Sequence, residues 1–74
     1  MSHQDLTERQ RDILRLAAAG LTHDQIPKRM HLSRSVVCEE MIRIRRALGA
    51  RNTAHAAALG VHHGIVTAEH LEQP

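Results

Sequence analysis

Apolar positions in this chain recur with helical spacing and nowhere alternate over a strand's length, so the pattern predicts four short helices and no strand. In the first, Ile13, Leu14, Leu16, Ala17 and Ala18 supply an apolar face. Thr7 and Gln10 form a capping box ahead of it, and Gly20 stands where a left-handed residue would end it, giving a helix over about 7–19. Thr22 with Gln25 repeats the box and opens a second helix through Met30, with Ile26 and Met30 facing inward. Pro27 lies inside that helix, where its ring would crowd the carbonyl of His23, so a kinked or tightened first turn is expected. Ser33 caps a third helix over 34–48, in which Val37, Met41, Ile44 and Leu48 recur at i, i+4, i+7 and i+11 as one buried stripe. Gly49 stops it. Asn52 caps a fourth, Ala-rich helix over 53–63, with Thr53, Ala56, Ala57 and Gly60 on one face and His55, Ala58, Leu59 and His62 on another. Gly64 ends that helix and lets Ile65 and Val66 fold back onto the core, leaving TAEHLEQP as a short, polar, frayed tail. The chain therefore divides into one all-α domain over 1–66 and a tail over 67–74.

Composition narrows what such a domain can do. A chain of 74 residues buries a modest core, and its single cysteine, Cys38, permits no intrachain disulfide. No stretch approaches the roughly 18 apolar residues that span a membrane, and MSHQDLTERQ lacks the apolar run of a signal peptide, so a cytoplasmic location is expected. Phe, Tyr and Trp are absent, which removes base stacking as a route to single-stranded nucleic acid. All ten Lys and Arg lie within 1–66, against six Asp and Glu there, an excess that permits polyanion binding without requiring it.

Only His31, Leu32 and Ser33 separate the second and third helices, and the third is the longer and carries arginines. This is the layout of a helix-turn-helix, although a plain helical hairpin has the same spacing. The segments LTERQRDILRLAAAGLTHDQI, LSRSVV, RIRRALG, RNTAHAAALG and HHGIV make the likeness specific: from Leu6 to Val66 the sequence resembles the LuxR-type, or GerE-type, helix-turn-helix. The resemblance implies a four-helix domain whose third helix enters the DNA major groove and whose fourth helix forms a dimer. Such domains usually follow a sensory domain. Here the domain is expected to stand alone, with control coming from expression level or a partner.

The likeness is weaker where bases would be read. Family members carry a Thr-Val-Lys-x-His pattern early in the third helix, and the resemblance places DNA contacts on the Lys, its neighbours and a position one turn later. The corresponding residues are Val36, Val37, Cys38, Glu39 and Glu40, with Ile42 one turn on. Of these only Val37 fits. A carboxylate can accept from the exocyclic amine of cytosine and an apolar side chain can touch a thymine methyl, so Glu39 with Cys38 or Ile42 could still read a sequence. Both glutamates would also repel phosphates, and Glu39 with Arg43 at i+4 could simply be a surface ion pair. The remaining donors are Thr22, His23, Lys28 and Arg29 on the second helix, Arg34 and Ser35 at the start of the third, and Arg43, Arg46 and Arg51 further on. Two readings follow. One is a small transcriptional regulator of double-stranded DNA, a homodimer through His55, Ala58, Leu59 and His62. The other is a protein-binding module, an antagonist or assembly partner of another regulator, that turns the third helix, with Val36, Cys38 and Ile42 as an apolar strip, or the fourth helix to that partner.

Enzyme chemistry finds no constellation. Cys38 has no placed base, its acidic neighbours oppose thiolate formation, and no phosphate-binding Gly-rich loop is present. Seven histidines raise the question of a metal, yet adjacent His62 and His63 point to different helix faces and no Cys or carboxylate completes a tetrahedral set, so neither metal nor cofactor is expected.

Overall fold

A computed structural model describes residues 6–72. The first five residues assigned to the domain and the last two of the tail lie outside the described residues. Among the described residues there are five helices and no strand: α1 (Glu8–Ala18), α2 (Gln25–Met30), α3 (Arg34–Leu48), α4 (Thr53–His62) and α5 (Ala68–Glu72).

Local chemistry explains most of the boundaries. The Thr7 side chain accepts from the Gln10 backbone N–H, and the Gln10 side chain accepts from that of Thr7, closing the box ahead of α1. At the other end Gly20, at φ 102°, donates to the Ala17 carbonyl and Leu21 to that of Leu16, a Schellman closure. The same pair of bonds ends α2 through His31, the one non-glycine residue with positive φ among those described. A histidine tolerates that conformation better than a branched residue would, and it sets the sharp angle between α2 and α3. Ser33 caps α3 by accepting from the Val36 N–H, and Asn52 caps α4 by accepting from that of His55.

Two expectations change. Thr22 and Gln25 do exchange both hydrogen bonds of a capping box, but they close a turn just before the helix, and α2 starts only at Gln25. Pro27 therefore occupies the first turn, where its missing N–H has no helical partner to lose. The turn is tightened rather than kinked, with the Gln25 and Ile26 amides both donating to the Thr22 carbonyl. The tail differs too. Residues 68–72 form α5, which packs against α1 and begins at a His70 ring nitrogen that accepts from the Thr67 N–H.

Helix α1 is the hub, touching each of the other four helices. Its Ile13 and Leu14 are wholly buried with Ile26 of α2, Val37, Met41, Ile44 and Leu48 of α3, and Ala56 of α4. Ile65 and Val66 close the core from the C-terminal side, and Arg15 fixes them by donating from Nε to the Ile65 carbonyl at 2.9 Å. Gly60 lets α4 approach: a Cβ there would stand 2.9 Å from Cδ2 of Leu14 and 3.1 Å from Cγ2 of Val66.

Candidate nucleic-acid interface

The buried stripe of α3 fixes which residues face outward. Val37, Met41, Ile44 and Leu48 point into the core, and residues two positions away lie roughly 200° round the helix. Ser35, Glu39, Ile42 and Arg46 form that opposite stripe, all exposed. Cys38 and Arg43 flank it and are exposed, whereas Val36 is half-buried against the domain. Val36, Cys38 and Ile42 thus do not join into one apolar strip. Only Ile42, at 40% exposure, presents a large apolar surface on this helix.

The two glutamates have opposite surroundings. Glu39 is exposed and makes no ion pair among the described residues, so the expected link to Arg43 at i+4 is not formed. Glu40 is the one buried charged residue among those described, at 4% exposure. Its Oε2 accepts from Nε of Arg9 at 2.8 Å, and its Oε1 accepts from Nε2 of Gln10 at 3.2 Å and lies 3.5 Å from Nη1 of Arg43. Burial by itself would raise the Glu40 pKa, but the hydrogen bonds from Gln10 and Arg9 and the charges of Arg9 and Arg43 outweigh it, and the carboxyl titrates below its ordinary value of 4.5. The expectation that Glu40 repels phosphate is therefore corrected. Its side chain turns inward and ties the reading helix to the front of α1.

The cations also sort into two groups. Arg34 is held by Asp24 at 2.7 Å and Arg43 by Glu40. Among the described residues Lys28, Arg29, Arg46 and Arg51 find no ion-pair partner, and the first two line a shallow groove on α2 with Leu21 and Gln25. Thr22 and His23 are exposed in the turn before α2, with the Thr22 hydroxyl already accepting from the Gln25 amide.

On α4 the outward face differs from the one expected. Leu59 is half-buried and packs against the core, because it lies beside Gly60 and Ala56 where α4 closes on α1. Ala58 and His62 are exposed, and His55 is half-buried with its Nδ1 accepting from the Arg51 N–H at 3.0 Å. The outward apolar stripe is Ala54, Ala58 and Val61, the last at 49% exposure. Val61 was missed although its spacing from Ala54 and Ala58, i+7 and i+3, was available in the sequence. His62 and His63, expected to diverge, meet edge-to-face with ring centroids 5.0 Å apart. No group of three or more His, Cys, Asp or Glu is placed to hold a metal among the described residues. Nor is any described helix long and apolar enough to cross a membrane.

Residues 4–59 match the family model for bacterial regulatory proteins of the luxR family, which covers most of the chain and all of α1, α2 and α3. The chain belongs to the luxR family. One relative is the transcriptional activator protein BjaR1 of Bradyrhizobium diazoefficiens, 33% identical over 61 residues. That match takes in 82% of this chain but 25% of the relative, so the chain corresponds to about a quarter of that protein. Within this luxR-family domain, Arg9 and Gln10 are the participants that sequence reasoning did not find. They meet Glu40 from 31 and 30 residues away, and no local periodicity signals a pairing across two helices.

Proposed function

We propose that this luxR-family domain is a transcriptional regulator that binds double-stranded DNA with α3 in the major groove, acting in the cytoplasm as a homodimer through α4. The observation that carries the reading is the inward turn of Glu40. With that carboxylate paired with Arg9 and Arg43 and hydrogen-bonded by Gln10, the outward stripe of α3 holds one acid, Glu39, with Arg46 two turns on, and Lys28, Arg29 and Arg51 make no ion pair among the described residues. An α-helix about 10–12 Å across with its side chains suits a major groove about 12 Å wide, and α3, at 15 residues, runs about 22 Å along it. Ser35, Thr22 and the unpaired cations supply the hydroxyl and cationic donors that phosphates accept from. The Ala54, Ala58 and Val61 stripe gives α4 a small-residue face on which a second copy can pack, with His55 and His62 at its rim.

The test is binding of the purified protein to labelled duplex from its own upstream region and to a random duplex, over a salt series. Affinity is expected to fall linearly on logarithmic axes, with a slope of about −0.9 for each phosphate neutralised. Arg46→Gln should reduce that slope by about 1. No binding at low salt up to tens of micromolar protein would reject the reading and leave a protein partner as the occupant of α3. Sedimentation on the same samples checks α4, since a monomer at millimolar concentration would remove the homodimer while leaving DNA binding in place.

A further inference from the structure

Glu39 sits at the centre of the surface that the proposed function puts into DNA. Its neighbours along the outward stripe are Ser35 at i−4, Ile42 at i+3 and Arg46 at i+7, and all are exposed. The cation that would ordinarily cancel it, Arg43 at i+4, is held by the buried Glu40 instead. Glu39 makes no hydrogen bond or ion pair among the described residues, so its carboxylate oxygens are free to accept. An ionised carboxylate offers no donor. In a groove edged by phosphates such a group is tolerated only where a donor meets it.

The major groove limits what that donor can be. Guanine presents two acceptors there and thymine one acceptor and a methyl group, and both would repel or ignore a carboxylate. Cytosine presents its N4 amine and adenine its N6 amine, but the adenine amine lies between two acceptors, its own N7 and O4 of the paired thymine, whereas the cytosine amine has an acceptor on one side only, O6 of the paired guanine. We infer that Glu39 is a specificity-determining residue that accepts a hydrogen bond from the N4 amine of a cytosine in the operator. This inference rests on the placement of α3 in the major groove. Ile42 walls one side of the contact and lowers its access to water, which strengthens the hydrogen bond, and Arg46 on the same stripe balances the charge against the phosphates. The residue that departs most from a generic phosphate-binding surface is then the one that selects the base.

The experiment selects duplexes from a random-sequence pool with the 74-residue chain and with its Glu39→Gln and Glu39→Ala variants. Glu39 is exposed, so all three should share one melting curve. The wild type should favour cytosine at one position by about tenfold. Glu39→Gln should move the preference at that position to adenine, because an amide pairs with the N6 and N7 edge, and Glu39→Ala should abolish it while leaving the other positions unchanged. Identical preferences in all three proteins, with Glu39→Ala binding every duplex more tightly, would overturn the inference and reduce Glu39 to a source of repulsion while DNA binding stands. Failure of all three to enrich or retain any duplex would reject the DNA-binding function itself, and this inference with it.

Discussion

Helix α1 meets its two largest neighbours in opposite ways. Against α4 the seam is apolar and steric: Leu14 fills the space over Gly60, and that contact is so close that a Cβ on Gly60 would intrude on it. Against α3 the seam combines apolar packing with one buried carboxylate, held by a guanidinium and an amide that reach over from α1. The apolar seam is set by volume and indifferent to pH. The polar seam is directional, since two donors from α1 must each meet one oxygen of Glu40, and so it fixes how α3 is rotated as well as how near it lies. The helix proposed to read DNA is the one given the directional seam, and the helix proposed to dimerise has the steric one.

The steric seam is the more vulnerable. Leu14→Ala would empty a fully buried site and is expected to destabilise the domain by about 3 kcal/mol, much of the stability of a chain this short. Gly60→Ala alone adds a methyl group where none fits and should cost about 1 kcal/mol. In the Leu14→Ala background that sign should reverse, because the methyl enters vacated space and alanine favours a helix over glycine by about 1 kcal/mol. Urea unfolding of the four proteins measures the coupling directly. Additive effects would mean that the approach of α4 to α1 is not limited at Leu14.

The polar seam should respond more weakly, and only in part of the pH range. Glu40→Gln keeps the shape and loses the charge, and because Arg9 and Arg43 are more than half exposed their contribution is screened to about 1 kcal/mol. The Glu40 pKa is lowered in the fold, so its stabilisation is fully present above the ordinary value of 4.5 and is lost as pH falls through the lower folded value. Wild type and Glu40→Gln should therefore differ at pH 7 and converge in acid below pH 4.5. A gap of the same size throughout that range would show that the amide perturbs packing and that the ion pair contributes nothing.

The same contrast explains what the sequence made legible. The caps of α1, α3 and α4, the glycine stops and the Val37, Met41, Ile44 and Leu48 stripe are written within a few residues of where they act, and the structure places them as the spacing implies, whereas the Thr22 and Gln25 box closes the turn ahead of α2. Glu40 was misread because its partners, Arg9 and Gln10, are distant in sequence, and a Glu beside a Glu on a helix reads locally as solvated surface. Leu59 was misread for a related reason. Its helix carries small residues nearly all round, so periodicity could not say which face met α1 until Gly60 and Leu14 were seen in contact. Residues 68–72 gave no apolar stripe long enough to suggest α5, and its packing on α1 joins segments far apart in sequence, which no local pattern signals.

The smallest effect separates a buried ion pair from an exposed one. Asp24 and Arg34 lie 2.7 Å apart but are both about two-thirds exposed, so Asp24→Asn should change stability by less than about 0.5 kcal/mol. Its consequence should appear in DNA binding instead. Arg34 opens α3, and losing its acid partner frees the guanidinium for a phosphate while removing a negative charge from the same surface. Affinity is then expected to rise roughly threefold at moderate salt, with a salt slope steeper by about 1. A fall in affinity would carry the opposite meaning: Asp24 would be holding Arg34 in the orientation that DNA requires, and this surface pair would position a side chain much as the Glu40 seam positions the helix that bears it.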